Sequence, residues 1–394
     1  MSEKERTVEG NPRSEASRAA VPKVLVVTND FPPRVGGVQQ YVWNIVSGLP
    51  ADRVSVLAPN WPGGRAHDAG QPFPVHRWPS RFLWPTGQLA RRVRALIREH
   101  DADVVLFGHG LPLPVLAPDL RANGVPSVIL THGAELWLAR TPGAADLMRT
   151  AFAAAREVTA ISRYVARELR ALTPRHVRLS LLPPAVDPGR FSPSVDGSAV
   201  RARFELDRRR VVLCVSRLVP RKGQDTLIRA MSLVNRLVPD AALLIAGGGP
   251  YEPRLRKLAA EAPARSVIFA GEVSDEELPA YYSSCDVFAM PCRSRFAGLE
   301  VEGFGIVFLE AAASGKAIAA GRSGGAEEAI QDELTGLLVE GREPKATALA
   351  VARLLLDKVL AERMGRAGRT RVEEGFTWSQ RSKELAVVLS RAVG

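Results

Sequence analysis

The amino-acid sequence predicts an α/β protein made of two doubly wound parallel-sheet domains that face a central cleft. Short apolar runs bounded by turn residues alternate with longer segments of helical spacing, which is typical of parallel strands joined by crossover helices. A proline-rich stretch at 182–193 interrupts this alternation, which then begins again. The length of 394 residues agrees with two or three domains.

The apolar runs predict the strands of both sheets. In the first domain the predicted strands span 24–28, 54–58, 104–108, 128–131 and 158–161. In the second they span 211–215, 242–246, 267–270, 286–290, 317–320 and 336–339. The domains are predicted at 21–190 and 191–375, and a last helix at 376–394 is expected to cross back to the first. Because ligands of such sheets bind beyond the carboxyl ends of the strands, we expect the chemistry in loops that follow strands.

Composition and charge exclude several classes of protein. A hydrophobic fraction of 46% and a charged fraction of 24% argue against a largely disordered chain, a collagen or a coiled-coil rod. No apolar run of membrane-spanning length is present, and the first residues lack the apolar segment of a secretory signal. Residues 1–20 are predicted to form a disordered tail. The net charge of +11 would suit nucleic acid, but no helix-turn-helix, RNP or zinc-finger pattern accompanies it.

The cysteines indicate the redox compartment. Cys214, Cys285 and Cys292 are odd in number and form no CxxC pair. No nearby histidine completes a zinc-like spacing, so no metal site is predicted. We therefore predict reduced, buried thiols in a cytoplasmic protein.

The loop after the first strand carries Gly36 and Gly37 directly before a segment with helical spacing of apolar residues. Glycines at a helix N-terminus let backbone N–H groups approach an anion such as phosphate. The alternative is a plain strand-to-helix turn that uses glycine for its backbone freedom. The GxGxxG spacing of dinucleotide-binding proteins is absent, which disfavours a Rossmann oxidoreductase.

A histidine and a group of cations follow two other predicted strands. His132 comes directly after the fourth run, where it can donate a hydrogen bond to a sugar or position an acceptor, or simply cap and pack. Arg217, Arg221 and Lys222 follow the first strand of the second domain. Arg217 and Lys222 suit a diphosphate, because arginine binds phosphate through two parallel bonds and lysine acts as a point charge. The alternative is a solvated basic turn.

The most informative pattern is a pair of glutamates. Glu302 lies in a glycine-containing loop, and Glu310 lies about one turn into the apolar helix that follows. The backbone N–H groups of Gly305, Ile306 and Val307 would form the N-terminus of that helix, a site suited to a pyrophosphate. The carboxylates can accept hydrogen bonds from sugar and ribose hydroxyls. The alternative is two surface acids beside a buried helix.

Together these features resemble the GT-B glycosyltransferases, in particular the large retaining family with a Glu-x7-Glu motif. The resemblance covers about residues 22–390 and implies two Rossmann-like domains, with the nucleotide-sugar bound mainly on the second. Longer stretches are similar to the bacterial mannosyltransferases that act on phosphatidylinositol monomannoside; these are 27–33, 216–227, 247–251, 287–293 and 301–310. That similarity implies GDP-mannose as donor, a lipid-linked acceptor, a position at the inner face of the plasma membrane, and no required cofactor.

The resemblance also implies a role for each motif residue. Arg217 and Lys222 would bind the donor diphosphate and stabilise the leaving group. Glu302 and His132 would contact the transferred sugar, and Glu310 would bind the ribose. Further donor contacts are expected from Gly36, Gly37, Val273, Met290, Gly305, Ile306 and Val307, and acceptor-side contacts from Asp30 and Gln39.

A basic and aromatic stretch at 77–98 contains no acidic residue. Basic residues among interfacial aromatics suit an anionic membrane surface. The predicted membrane-facing residues are Trp78, Arg81, Phe82, Trp84, Arg91 and Arg92. The alternative is a helix that buries its apolar stripe in the first domain and leaves its arginines solvated.

Other functions are compatible with the sequence. The same fold can use a different nucleotide-sugar or a soluble acceptor, and it can serve a nucleotide-sugar epimerase. A non-enzymatic sensor would bind the donor without transferring the sugar. One departure from the family pattern is Ala134, which stands where a second histidine is expected.

Overall fold

A computed structural model describes residues 21–296, 298 and 300–394. The tail predicted at 1–20 lies outside the described residues. The described chain forms two α/β domains, each built on a parallel sheet, with a cleft between them. The predicted fold class of two doubly wound, Rossmann-like domains is confirmed.

The first domain is built on a seven-stranded sheet. Its strands are β1 (Val24–Val27), β2 (Val54–Pro59), β3 (Val75–Trp78), β4 (Val104–Phe107), β5 (Ser127–Ile129), β6 (Glu157–Ala160) and β7 (Arg178–Leu181). They pair in the order β3-β2-β1-β4-β5-β6-β7. The described helices of this domain are α1 (Gly37–Ser47), α2 (Gly64–Ala69), α3 (Gly87–His100), α4 (Ala117–Ala122), α5 (Glu135–Leu138), α6 (Ala144–Ala154) and α7 (Arg163–Leu169).

The second domain is built on a six-stranded sheet. Its strands are β8 (Arg210–Val215), β9 (Ala241–Ala246), β10 (Val267–Gly271), β11 (Val287–Met290), β12 (Ala317–Gly321) and β13 (Leu337–Val339), in the order β10-β9-β8-β11-β12-β13. The described helices here are α8 (Ser198–Arg203), α9 (Gln224–Leu237), α10 (Glu252–Ala259), α11 (Leu278–Ser284), α12 (Ile306–Ala313), α13 (Ala326–Ala329), α14 (Pro344–Leu356) and α15 (Lys358–Gly375). Among all described helices, none has the length and apolarity needed to cross a bilayer.

Every strand that the apolar runs predict is present, with its ends shifted by one or two residues. The sequence analysis missed β3 and β7, which are the two edge strands of the first sheet. All four residues of β3 are partly exposed, and β7 exposes both its ends. An edge strand that is not buried on both faces has no continuous apolar run, so the pattern used for the central strands cannot detect it.

Helix α1 is positioned beside the cleft by its apolar face. Its buried residues Tyr41, Val42, Ile45 and Val46 recur at helical spacing and pack into the core of the first domain. Gly48 ends the helix. The N-terminus of α1, which follows the carboxyl end of β1, thereby lies at the cleft, where Gly37 forms part of the wall.

The last helix, α16 (Trp378–Val393), packs on the first domain although it follows α15 of the second. Thr377 and Gln380 form a capping box that fixes its start. The Ser382 hydroxyl donates to the Ile45 carbonyl at 2.8 Å, and Arg391 pairs with the buried Glu157 at 2.6 Å.

The strand order of each sheet reverses at one point, between β1 and β4 in the first domain and between β8 and β11 in the second. Ligands of open α/β sheets bind at such points.

Candidate active site

The cleft between the domains has a volume of about 980 Å³ and is lined by residues of both. Predicted site residues that line it are Gly37, His132, Arg217, Glu302, Gly305 and Ile306. Lining residues to which the sequence analysis gave no role include Val38, Tyr41, Trp137, Ile161, Arg221 and Phe296. The aromatic and aliphatic members of this second group had no detectable signal, because the same residue types fill the core.

The loop after β1 brings the start of α1 to the cleft. Gly37 is the first helical residue and lines the cleft, whereas Gly36 lies beneath the Gln39 side chain. Gln39 Nε2 donates to Asp30 Oδ1 at 2.6 Å. The two predicted acceptor-side residues, Asp30 and Gln39, are therefore bound to each other beside the cleft and are not among the residues that line it.

His132 follows β5 and forms part of the cleft wall. Its Nε2 lies 2.8 Å from the Gly108 carbonyl oxygen, which can only accept, so Nε2 carries the proton. Burial and the neighbouring His109 lower the pKa of His132, which favours the neutral ring. A neutral imidazole in this tautomer offers Nδ1 as an acceptor, so it can take a hydrogen bond from a sugar hydroxyl.

Glu135 organises the backbone around His132. Its carboxylate is fully buried and accepts hydrogen bonds from His132 N–H at 3.0 Å and from Gly110 N–H at 3.1 Å. His109 Nδ1 lies 3.1 Å from the same carboxylate. Burial by itself would raise the pKa of Glu135, but His109, His132 and the backbone donors lower it. An ionised Glu135 thus joins the loops that follow β4 and β5.

The cations after β8 lie on the opposite wall. Arg217 and Arg221 both line the cleft, and within the described chain the Arg217 guanidinium makes no hydrogen bond or ion pair. Gln224 Nε2 donates to the Arg217 carbonyl at 3.0 Å and fixes the backbone there. Two guanidinium groups are thus available to an anion in the cleft. Arg221 could have been proposed from the sequence because it shares the loop of Arg217 and Lys222, but only the structure shows that Arg221 lines the cleft.

Lys222 and Glu302 form a buried ion pair at the edge of the cleft. Lys222 Nζ lies 2.5 Å from Glu302 Oε2, and the two residues are 9% and 7% exposed. The sequence analysis treated them as separate ligands of the diphosphate and the sugar. An ammonium group has three donors, so Lys222 can hold Glu302 and still bind an anion.

The N-terminus of α12 points into the same region. Gly305 precedes the helix with φ 87°, in the left-handed region where a side chain would be strained. Gly305 and Ile306 line the cleft, while Val307 is partly buried against the core. The free N–H groups of this first turn add positive potential to that of Arg217 and Arg221.

Glu310 lies one turn further along α12, outside the residues that line the main cleft. The Tyr282 hydroxyl donates to its Oε2 at 2.7 Å. Burial raises the pKa of Glu310 to about 7, an effect that the Tyr282 hydrogen bond opposes. Nearby, Arg190 of the interdomain linker pairs with Asp275 at 2.9 Å.

The donor contacts predicted for Met290 and Val273 stay predictions. Met290 ends β11 and its side chain is fully buried, so it can contact a ligand only through its backbone. Val273 follows β10 and is partly buried. Neither is among the residues that line the main cleft.

The predicted membrane-facing residues divide into two groups. Trp78 lies in β3 and packs partly against the core, so it does not belong to the exposed loop that follows β3. The stripe of α3 buries Leu89, Val93 and Leu96, which confirms the core alternative for that face. Arg92 pairs with Glu99 at 2.9 Å, whereas Arg91 is exposed.

The loop that follows β3 is more exposed. Trp84 is 62% exposed, and its ring lies 4.7 Å from that of Phe82. The guanidinium of Arg81 lies over the Trp61 ring at 5.7 Å. Asn29 holds the loop through Leu83, accepting from its N–H at 2.7 Å and donating to its carbonyl at 3.1 Å.

The three cysteines are free and buried, as predicted. Burial raises the pKa of Cys214 to about 12, so this thiol stays protonated and unreactive.

Among the described residues, no group of three or more His, Cys, Asp or Glu side chains is placed to hold a metal ion.

Comparisons with known proteins agree with this geometry. Residues 199–371 match the family model of glycosyl transferases group 1, and residues 35–190 match that of glycosyltransferase family 4. The chain is 45% identical to the GDP-mannose-dependent alpha-(1-6)-phosphatidylinositol monomannoside mannosyltransferase of Mycobacterium tuberculosis, over 92% of this chain and 97% of that enzyme. It is 39% identical to the GDP-mannose-dependent monoacylated alpha-(1-6)-phosphatidylinositol monomannoside mannosyltransferase of Corynebacterium glutamicum, over 93% and 97%.

Solved structures share the fold at lower identity. HepE of Anabaena, crystallised with UDP, superposes with a TM-score of 0.78 at 21% identity, over 93% of this chain and 99% of that one. Sucrose-phosphate synthase of Thermosynechococcus elongatus superposes with a TM-score of 0.74 at 21% identity, over 93% and 98%. The GT-B arrangement expected from the sequence is thereby confirmed.

Proposed function

The chain belongs to the group 1 glycosyltransferases, and we propose that it moves mannose from GDP-mannose to a phosphatidylinositol mannoside. One observation carries the donor half of the proposal. Arg217, Arg221 and the N-terminus of α12 line the cleft, and Lys222 lies beside them in its ion pair with Glu302, so together they can neutralise a diphosphate. The named activity of relatives up to 45% identical over nearly the whole chain supports the choice of GDP-mannose and of the acceptor.

The reaction proceeds with retention, on the face of the sugar from which the diphosphate leaves. The bond from the anomeric carbon to the phosphate oxygen breaks, and a bond to the acceptor oxygen forms on the same face. The acceptor proton passes to the departing phosphate oxygen, so no enzymic nucleophile is required. The cations and the α12 N–H groups stabilise the charge that grows on GDP.

The two domains have different tasks in this reaction. Glu302, held by Lys222, accepts hydrogen bonds from the transferred mannose, and His132 Nδ1 accepts one from across the cleft. Glu310 binds the ribose. Gly37, at the N-terminus of α1, approaches the diphosphate from the first domain. The acceptor reaches the cleft from the side of Asp30 and Gln39.

The acceptor's lipid anchor requires a surface that meets a membrane. We assign this to the loop tips after β1, β2 and β3, where Arg34 and Arg81 lie over Trp61 and where Trp84 is exposed. Basic groups beside interfacial aromatics bind anionic headgroups. We accordingly propose that the protein works in the cytoplasm, bound peripherally to the inner face of the plasma membrane.

A transfer assay tests the proposal. Purified chain is incubated with radiolabelled GDP-mannose or UDP-glucose and with vesicles that contain phosphatidylinositol or its monomannoside. We expect label to move from GDP-mannose into the monomannoside lipid, in a linkage that α-mannosidase removes. An Arg217→Ala variant is the inactive control.

Other outcomes would contradict defined parts of the proposal. Hydrolysis of GDP-mannose without labelled lipid would contradict the proposed acceptor but agree with GDP-mannose as the donor. Transfer only from UDP-glucose would overturn the assignment of GDP-mannose as the donor. Binding of GDP-mannose without turnover would leave a non-enzymatic sensor.

A further inference from the structure

Tyr282 is a buried tyrosine whose hydroxyl the proposed reaction does not use. It lies on α11, is fully buried, and donates to Glu310 Oε2 at 2.7 Å. Its ring is held by Phe191 and Phe288, with centroids 5.6 Å and 5.5 Å away. Because neighbours on two sides confine the ring, the hydroxyl has one place to donate.

This hydrogen bond restricts the conformation of the Glu310 carboxylate. Oε2 is occupied by Tyr282, and within the described chain the Glu310 side chain makes no other hydrogen bond. Oε1 and the second lone pair of Oε2 therefore remain available to accept hydrogen bonds from a ligand. Two neighbouring hydroxyls of a ribose can donate to such an edge together.

We propose that Tyr282 is a positioning residue that fixes Glu310 for the 2′- and 3′-hydroxyls of the donor's ribose, and so makes the site prefer ribonucleotides over 2′-deoxyribonucleotides. The inference rests on the proposed function, since it takes Glu310 as the ribose ligand. A site built around a hydroxyl rejects the analogue that lacks it, because a buried acceptor is then left unpaired.

Electrostatics add a second consequence. The charged and titratable groups that face Glu310 are Tyr282, Asp275 and Arg190. Burial raises the pKa of Glu310 to about 7, and the Tyr282 hydrogen bond opposes that rise. The ionised carboxylate is the stronger acceptor, so donor affinity rises with pH through about 7. Without the Tyr282 hydroxyl the pKa of Glu310 is higher, and this rise moves to higher pH.

Calorimetric titration of the full chain tests both consequences. GDP and 2′-deoxy-GDP are compared at pH 8, and GDP-mannose, whose diphosphate does not titrate near neutrality, is used from pH 6 to 8.5. For Tyr282→Phe we expect GDP binding about tenfold weaker, corresponding to one charged hydrogen bond. We also expect a smaller preference for GDP over its 2′-deoxy analogue and an alkaline shift of the pH profile.

Tyr281→Phe is the matched control. Tyr281 is the adjacent residue on α11, is equally buried, and its hydroxyl accepts from Arg203 at 3.3 Å rather than contacting Glu310. The substitution removes the same group, so a loss of packing would affect both variants. We expect Tyr281→Phe to keep the wild-type preference and pH profile.

Glu310→Gln separates failure of this inference from failure of the proposed function. Unchanged GDP affinity in Glu310→Gln would overturn the ribose role of Glu310 and with it this inference, whereas the transfer assay tests the proposed function separately. If Glu310→Gln weakens GDP binding but Tyr282→Phe binds GDP as tightly as the wild type, only the positioning role of Tyr282 would be overturned. The wild-type chain gives a test that needs no variant, since equal affinity for GDP and 2′-deoxy-GDP would also overturn it.

Discussion

The ion pair between Lys222 and Glu302 is the contact of the site in which each residue depends most on its partner. Both groups are nearly removed from water, and each neutralises the other. A buried charge that loses its partner is strongly unfavourable, whereas a neutral pair of similar shape is tolerated. Stability and catalysis can therefore be separated at this pair.

A single and a double substitution make that separation. Lys222→Met leaves Glu302 buried and unpaired, so we expect a loss of about 3 kcal/mol of stability. Turnover should fall by about 10²–10³, as when one preorganised donor is removed. In Lys222→Met/Glu302→Gln no buried charge lacks a partner, so the melting temperature should recover while turnover stays low.

Thermal unfolding and initial rates of transfer measure the two effects. Lys257→Met, at an exposed lysine of α10, is the control for loss of a positive charge. If the double variant regained turnover together with stability, Lys222 and Glu302 would have only a structural role.

Sequence analysis identified the titratable residues of the donor side better than their partners. Arg217, Lys222, Glu302 and Glu310 stand in a spacing that resembles a known family, which makes them candidates, and the structure places Arg217 and Glu302 in the cleft wall. Glu135 carries no such signal, because a buried carboxylate and a surface one have the same letter in the sequence. Its role follows only from what surrounds it.

At the scale of elements, most candidate site residues lie in loops that follow strands. The loop after β3 is held by Asn29 from the loop after β1, so its aromatic residues stay exposed. The buried strands were predicted because they are continuous apolar runs. The exposed edge strand β3, which contains Trp78, was not predicted because it has no continuous apolar run.

The exposed loop after β3 gives a prediction about membranes. Arg81→Ser/Trp84→Ser should weaken binding to anionic vesicles, because a basic residue near such a surface contributes about 1 kcal/mol, about fivefold in partition. Loss of the Trp84 ring adds to this. Vesicle sedimentation at low and high salt measures the partition.

Leu356→Ser, at an exposed leucine of α14 on the other domain, is the matched control. GDP binding by each variant verifies that the fold is intact. Equal sedimentation of all variants would exclude this loop as the membrane surface.

At the scale of the whole molecule, one side chain ties the two domains together beside the cleft. Glu328 of α13 accepts hydrogen bonds from the N–H groups of Arg163 and Tyr164, at 2.8 Å and 2.9 Å, at the start of α7. Gly325, three residues earlier, packs against Ser162 so closely that a Cβ atom would clash. Glu328 therefore stabilises the arrangement in which the domains enclose the cleft.

Removing this carboxylate should favour an open arrangement. A hydrogen bond to a charged group contributes about 1.5–3 kcal/mol, so Glu328→Ala should lower the closed-to-open ratio at least about tenfold. Helix α7 should persist, because Ser162 also caps it. We expect a larger radius of gyration with GDP bound, by X-ray scattering, and a lower kcat.

Glu327→Ala is the matched control, since Glu327 faces Arg322 at the surface, 3.5 Å away. Identical scattering and rates for Glu328→Ala and the wild type would show that closure does not depend on Glu328.

The sequence by itself determined the buried strands of the two parallel sheets and the loops in which most candidate site residues lie. These follow from local rules, because burial of a strand or a helix face is written in residues a few positions apart. Tertiary structure decided which of those residues act together. Lys222 meets Glu302 across 80 positions, Tyr282 meets Glu310 across 28, and Glu328 meets Arg163 across 165. Such contacts depend on how whole elements pack, and no local pattern in the chain encodes that.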